Sequence, residues 1–275
     1  MANITASLVN ELRKRTGVGM MDCKKALVEC DGDMDKAIDY LREKGQKLAA
    51  KRADRDASEG AVLAAVNQDK TFAAVIMMNC ETDFVAKNDG FVDFAKSVLN
   101  AAIAAKAKDL QAVMSLTIDG VSVETTIIEQ VAKIGEKITL SHYLPIEAPA
   151  TYAYVHPGNR MASVVGLSKT GYDEEGKEMA MQVIAGRPVA LNKATVPAEV
   201  IEREMEVYRG QVREEGKPEN MVEKIAEGKL NKFFKESTLL SQEYTREAKV
   251  SVEEHLKKID KDLTVTAFQR AELGE

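Results

Sequence analysis

Apolar residues recur at helical spacing through the first fifty positions. Leu8, Val9 and Leu12 share one face behind Thr5, and Met34, Ala37, Ile38 and Leu41 share another behind Asp33. Between them a short run after TGVGMMD turns Ala26 and Leu27 inward. A threonine or aspartate just ahead of such a run can accept from the free N–H groups of a first helical turn, so Thr5 and Asp33 are predicted N-caps. The pattern predicts a compact three-helix bundle over residues 1–45. The stretch KGQKLAAKRADRDAS that follows (44–58) mixes charges and keeps little apolar periodicity beyond Leu48. Residues 46–58 therefore read as a linker with a hinge, its first half open to helix formation.

Beyond residue 58 the period changes from helix to strand, and it does so twice in the same order. GAVLAAVNQDKTFAAVIMMN (60–79) is an apolar strand, a polar turn and a second apolar strand, followed by the helical run GFVDFAKSVLNAAIAA (90–105). ATYAYVHPGNRMASVVGLSK (150–169) repeats strand, turn and strand, followed by a helix in EEGKEMAMQVIAG (174–186). Each unit closes on one more strand, EKITLSHYL near residue 140 and LTVTAFQRAEL near 268. A repeated hairpin, helix and strand predicts two related α+β subdomains with antiparallel sheets, over 59–146 and over 147–194 with 236–275.

Residues 195–235 interrupt the second unit. Ile201, Met205, Tyr208 and Val212 follow the four-three-four spacing of a narrow helical seam, EEGKPEN breaks the run, and a second helix resumes over Met221–Lys235. The expectation is an antiparallel coiled-coil hairpin, either a self-contained arm or a dimerisation and docking arm. The expected fold class is thus multidomain α+β.

Composition narrows the function. A 275-residue chain with 45% hydrophobic and 30% charged residues reads as globular, and its 5% aromatic share with no Trp suggests small Ala- and Val-rich cores. A net charge of −6 argues against a direct nucleic-acid or anionic-membrane binder, because neutralising phosphates requires a clustered basic surface. The start MANITASLVNELRKRTG lacks a basic region followed by an apolar run and a cleavage site, and no stretch approaches the roughly 20 apolar residues of a membrane span. A cytoplasmic protein whose partner is another protein is expected. Cys23, Cys30 and Cys80 lie in apolar patterns without paired spacing and read as reduced thiols.

Catalytic groups are sparse. His142 falls in a strand, His156 in the VHPGNR turn and His255 in a charged helix, none at helical spacing from another metal ligand. Glu81 and Asp83 beside Cys80 would raise its pKa, which disfavours a nucleophilic thiolate. No glycine pattern forms a phosphate-cradling loop. The chain is therefore expected to be no enzyme and to need no cofactor or metal of its own.

Two short stretches stand out instead. Thr82 can cap a helical turn, Asp83 then sits where the helix dipole favours negative charge, and Phe84 either folds back to seal the core or projects as an apolar anchor for a partner. The pattern alone favours the buried reading. Met20 and Met21, at the bend between the first two helices, either complete a tiny core or form a protein-docking edge of polarizable side chains.

LRKRTGVGMMDCKKALVECDGDMDKAIDYLREKG (12–45), NCETDFVAKNDGF (79–91) and VAKIGEKI (131–138) resemble the bacterial elongation factor Ts family, the guanine-nucleotide exchange factors of elongation factor Tu. HPGNR (156–160) and EEGKPENMVEKIAEGKLNKF (214–233) add weaker matches in the same order. The resemblance implies a ubiquitin-associated-like N-terminal bundle, two related core subdomains and a hairpin used for homodimerisation in some members. It also implies a mechanism: the turn of Thr82, Asp83, Phe84 and Val85 meets the partner's GTPase domain, the aromatic enters between two helices, and the partner's Mg²⁺ and GDP contacts loosen so that GTP can follow. The implied contacts are Met20, Met21 and Lys24 in the bundle, Asp83 and Phe84 in the wedge, Ile134 and Gly135 after it, and His156 in the second unit. The resemblance reverses the order of the two readings of Phe84. FFKESTLLSQEY (233–244) matches the family loosely, and the C-terminal helical module of some members is expected to be absent. The competing expectation is a chaperone-like or ubiquitin-associated-type adaptor that docks proteins without exchange activity.

Overall fold

The computed structural model describes residues 4–275; the first three residues of the unit read as 1–45, and of the N-terminal stretch read for a leader, lie outside it. Three helices open the chain, α1 (Ala6–Thr16), α2 (Met20–Glu29) and α3 (Met34–Lys51). Thr5 Oγ1 accepts from the Leu8 N–H at 3.2 Å, and Asp33 Oδ1 accepts from Asp35 and Lys36 at 3.1 Å each. Both helix starts are therefore satisfied by the side chains expected to cap them. Val9, Leu12, Cys23, Ala26, Leu27, Ala37 and Leu41 form the small core between the helices. Cys23 is buried there as a free thiol, its Sγ donating to the Val18 carbonyl at 3.4 Å.

The central region is two three-stranded antiparallel sheets. In the first, β1 (Glu59–Val66) pairs with β2 (Phe72–Cys80), and β2 pairs with the strand Thr139–Glu147 that closes the unit. Between β2 and that strand lie α4 (Asp83–Ala86), α5 (Asp89–Ala104), α6 (Leu110–Ser115), a tight hairpin of β3 (Thr117–Ile118) and β4 (Val121–Ser122), and α7 (Val123–Ile134). The closing strand is β5. In the second sheet β6 (Ala150–Val155) pairs with β7 (Met161–Leu167), and β7 with the last strand, after α8 (Asp173–Gly186), a 3-10 turn (Lys193–Thr195), α9 (Ala198–Glu214), α10 (Glu219–Ser237) and α11 (Val252–Ile259). That last strand is β8 (Val265–Glu272). Both units place the second hairpin strand in the centre and return their closing strand beside it, which is the repetition read from the sequence.

All nine residues of β2 are buried, and strand alternation explains how. Phe72, Ala74, Ile76, Met78 and Cys80 point to one face, where Phe91, Ala95, Val98, Leu99 and Ala102 of α5 and Val123, Ile127 and Val131 of α7 cover them. Ala73, Val75 and Met77 point to the other, where they meet Ala162 and Val164 of β7 and Ala271 of β8. The two sheets thus pack face to face. The far side of the second sheet, with Tyr152, Val165, Leu167 and Val265, is covered by Met179, Ala180 and Val183 of α8 and Val252 and Leu256 of α11. The result is four layers, helix, sheet, sheet, helix, with one apolar cluster between the sheets and one under the helices on each outer side.

α9 and α10 run antiparallel, with Arg213 beside Glu219, Arg209 beside Glu223 and Lys229 beside Glu215. Met205, Val212, Val222 and Ala226 are buried between them, and Ile201 and Tyr208 are half-buried. Val189 donates to the Ser237 carbonyl at 2.8 Å and Leu239 to Ala190 at 2.9 Å, which closes the base of the pair on the second unit.

Two features depart from the pattern reading. It gave residues 106–135 no element, yet α7 is where the bundle docks: a methyl on Gly45 of α3 would lie 2.9 Å from the Ala132 side chain, and Arg42 bonds Glu129 at 2.8 Å. The stretch read as a hinge is also held. α3 continues to Lys51, within the half of 46–58 left open to helix, and beyond it Lys137 Nζ donates to the carbonyls of Ala53 at 2.6 Å and Arg55 at 2.8 Å.

Candidate functional site

β2 ends at Cys80, and the chain turns at once into the one-turn helix α4. Thr82 has extended backbone (φ −125°, ψ 152°) and its Oγ1 accepts from the Val85 N–H, which makes it the cap. Asp83 and Phe84 are the first two helical residues. Val85 and Ala86 tuck against the core, whereas Phe84 points out with 83% of its surface exposed. The buried reading of Phe84 is therefore wrong. In a turn of four residues only one side can face the sheet, and Val85 and Ala86 occupy it.

The turn is held from behind by the segment that follows α7. Glu136 Oε2 accepts from the backbone N–H of Glu81 at 3.1 Å and of Thr82 at 3.0 Å, while its Oε1 accepts from the Thr82 hydroxyl at 2.7 Å. In return the Lys137 N–H donates to Glu81 Oε1 at 2.6 Å, and Arg52 Nη1 donates to the same oxygen at 2.6 Å. Gly135 makes this exchange possible. It ends α7 in the left-handed region (φ 84°), its N–H closing on the Val131 carbonyl at 2.8 Å, and so redirects the chain towards the turn.

The electrostatics suit docking better than bond chemistry. Asp83 pairs with Lys87 one turn on at 2.6 Å, and that contact holds its carboxyl below the usual range. Glu81 is likewise held low, first by the Lys137 N–H and then by Arg52. Burial pushes the Cys80 thiol up to about 12, with Glu136 adding to the rise, and its Sγ is engaged with the Thr82 carbonyl at 3.2 Å. A thiol so placed stays protonated near neutrality and is a poor nucleophile. Among the described residues no group of three or more His, Cys, Asp or Glu side chains is arranged to hold a metal ion. No helix of the described residues is long and apolar enough to cross a membrane.

The other residues singled out from sequence fall into three places. Ile134 and Gly135 end α7 directly before Glu136, so they adjoin the Phe84 turn. Met20, Met21 and Lys24 lie on α2 and are exposed, Met20 at 48% and Met21 at 76%. The bundle that carries them rests on α7, so α7 connects both regions. His156 is exposed in the β6–β7 turn, its Nδ1 3.1 Å from the Tyr154 hydroxyl. That turn is fastened to β1, with Val62 donating to the Asn159 carbonyl at 2.7 Å and Arg160 bonding Glu59 at 2.8 Å. Among the described residues no hydrogen bond or ion pair joins His156 to the Phe84 turn.

Three residues that stand out in the structure escaped the sequence reading. Glu81 and Glu136 are separated by more than fifty positions, and nothing local marks either as the partner of a distant backbone. Val28 is 55% exposed on α2, one and two turns beyond Lys24 and Met20, and this i, i+4, i+8 spacing was there to be read.

Residues 81–275 match the family model described as Elongation factor TS, and residues 1–49 match that of Elongation factor Ts, mitochondrial, N-terminal. Among curated relatives, proteins named Elongation factor Ts from Christiangramia forsetii and Flavobacterium psychrophilum are 50% and 46% identical, each alignment covering 100% of both chains. One of the same name from Chlorobium phaeobacteroides is 43% identical, again over 100% of both chains.

Proposed function

The chain belongs to the elongation factor Ts family, and on that premise we propose that it promotes GDP release from elongation factor Tu with Asp83 and Phe84 as the wedge. It is a translation elongation factor of the nucleotide-exchange type. In this reading Phe84 enters between two helices of the partner's GTPase domain, supported by Thr82 and Val85, and Asp83 accepts a hydrogen bond at the rim. The displaced helices loosen the partner's hold on Mg²⁺ and on the phosphates of GDP, and GTP then rebinds. Met20, Met21 and Lys24 supply a second contact, Ile134 and Gly135 flank the wedge, and His156 meets another part of the partner.

No bond is made or broken by this chain. If its binding weakens nucleotide affinity, nucleotide binding weakens its own affinity by the same factor, which makes the cycle reversible. A partner-side Mg²⁺ and nucleotide suffice, so the chain works without a cofactor of its own. The bundle over 1–45 serves as a ubiquitin-associated-like docking domain tethered by 46–58, the two units at 59–146 and at 147–194 with 236–275 form the body, and 195–235 is a coiled-coil hairpin open to homodimerisation. The setting is cytoplasmic, without direct contact to nucleic acid or membrane.

One observation carries the reading: an aromatic side chain 83% exposed on a turn whose backbone is fixed from behind. A large apolar group in water is unfavourable unless a partner covers it, and rigid aromatic anchors are the common centre of such interfaces. Release of fluorescent GDP from elongation factor Tu tests it, with acceleration proportional to added protein as the expected result. The exposed Met20, Met21 and Val28 favour the adaptor as a second reading, in which the chain binds but leaves the GDP release rate at its spontaneous value.

A further inference from the structure

Phe84 touches little of its own chain, so its direction is set by the backbone beneath it. That backbone is weakly determined by itself: α4 has four residues, below the length at which a helix sustains its own hydrogen bonds. What fixes it is Glu136, whose two carboxylate oxygens take the N–H groups of Glu81 and Thr82 and the Thr82 hydroxyl. Those bonds are of the stronger, charge-assisted kind. The Thr82 oxygen meanwhile caps the N–H of Val85, the residue after Phe84. A chain of contacts therefore runs from Glu136 through Thr82 to the peptide that carries the aromatic ring.

We infer that Glu136 is a positioning residue of the exchange wedge, holding the Thr82–Val85 turn in its outward conformation before the partner arrives. Glu136 is itself set by the reversal at Gly135 and by the returning bond from Lys137 N–H to Glu81 Oε1 at 2.6 Å. Preorganisation of this kind raises association strength because the ordering entropy is lost on folding rather than on binding. Without the carboxylate, Phe84 would still be present and exposed, but it would sample directions in which it cannot enter a groove.

The inference rests on the exchange reading, and the experiment separates the two. Full-length wild type, Glu136→Ala, Glu136→Gln, Phe84→Ala and the Glu136→Ala, Phe84→Ala double variant are titrated against elongation factor Tu loaded with fluorescent GDP. Wild type that leaves the release rate unchanged defeats the exchange reading itself. If wild type accelerates release, Glu136→Ala is expected to lower the slope of rate against concentration by roughly tenfold, the worth of one lost charge-assisted hydrogen bond. Glu136→Gln is expected to stay within about threefold, since its amide oxygen can accept both N–H groups and its amide can donate to Thr82 Oγ1. On the Phe84→Ala background, Glu136→Ala is expected to add nothing, because the group it positions is gone. Amide exchange in residues 81–86 should quicken in Glu136→Ala while β2 stays protected. An unchanged slope for Glu136→Ala, or losses that multiply in the double variant, overturns the inference. Should Glu136→Ala not fold, Thr82→Val removes one of the three bonds and the cap, and a wild-type slope for it overturns the inference equally.

Discussion

Arg52, just past the end of α3, and Glu81, just past the end of β2, meet at 2.6 Å between guanidinium and carboxylate. The same Glu81 oxygen takes the Lys137 N–H, so one side chain ties together the helical bundle, the central strand and the segment after α7. Glu81 retains only 13% side-chain exposure. Glu81→Ala leaves a backbone donor and a half-covered arginine without their acceptor and is expected to lower unfolding stability by about 2 kcal/mol. Urea denaturation checks this; a midpoint equal to wild type would mean water replaces the carboxylate without cost.

The same residue gives a pH signature with a definite sign. Glu81 is held below the usual carboxylate range in the folded protein, chiefly by the Lys137 N–H and then by Arg52. A depressed folded pKa contributes stability that is present above the unfolded value, near ~4.3, and lost as pH falls through the folded value. Glu81→Gln cannot titrate, so its stability should fall less steeply than wild type below about pH 4.3. Denaturation midpoints measured from neutral to acid pH decide it. Parallel profiles would place the acid sensitivity on other carboxylates.

Phe84→Ala separates docking from folding. With 83% of the residue exposed, little apolar surface is returned to water by truncation, and the change in stability is expected to stay within about 0.5 kcal/mol. Stimulated GDP release should fall by at least about tenfold, the size of a central anchor's loss at an interface. A lowered melting temperature with exchange intact would reverse both assignments.

Gly176 lets α8 sit directly against Tyr152 of the second sheet. A methyl there would lie 2.1 Å from Cδ2 of Tyr152, whose ring is buried. Alanine favours a helix by up to about 1 kcal/mol over glycine, but overpacking costs about 1–3 kcal/mol, so Gly176→Ala is expected to destabilise. Chemical denaturation gives the sign. A stabilised variant would mean that the tyrosine ring moves aside freely.

What the sequence disclosed follows from which forces are local. Thr5 and Asp33 act on N–H groups two or three residues away, and β2 is an unbroken apolar run behind a polar turn, so both were legible. α7 was missed: Ser122 as cap, Val123, Ile127 and Val131 on one face and Gly135 as its left-handed end all mark it, but the mixed polarity of the surrounding stretch hid them. Phe84 was misplaced by pattern because an apolar residue beside a strand end is ordinarily covered, and only packing decides that Val85 and Ala86 fill that space instead. Glu81 and Glu136 could not be read at all. Each bonds a distant backbone N–H group, which every residue except proline carries and no sequence pattern marks, and their side-chain partners Arg52 and Thr82 lie 29 and 54 positions away.

The exposed edge of α2 extends further than the two methionines. Met20, Lys24 and Val28 recur every fourth residue along one side, and Met21 stands beside them with 76% of its surface exposed. Cys23, Ala26 and Leu27 hold the opposite side in the bundle core, so substitutions on the exposed edge leave that core untouched. Met21→Ser and Val28→Ser are each expected to change stability by less than about 0.5 kcal/mol. If the partner covers the whole edge, each should weaken binding to elongation factor Tu by about 1 kcal/mol, roughly fivefold in Kd, in titration calorimetry. A loss for Met21→Ser with none for Val28→Ser would confine the contact to the first turn of α2, leaving Val28 a solitary surface valine.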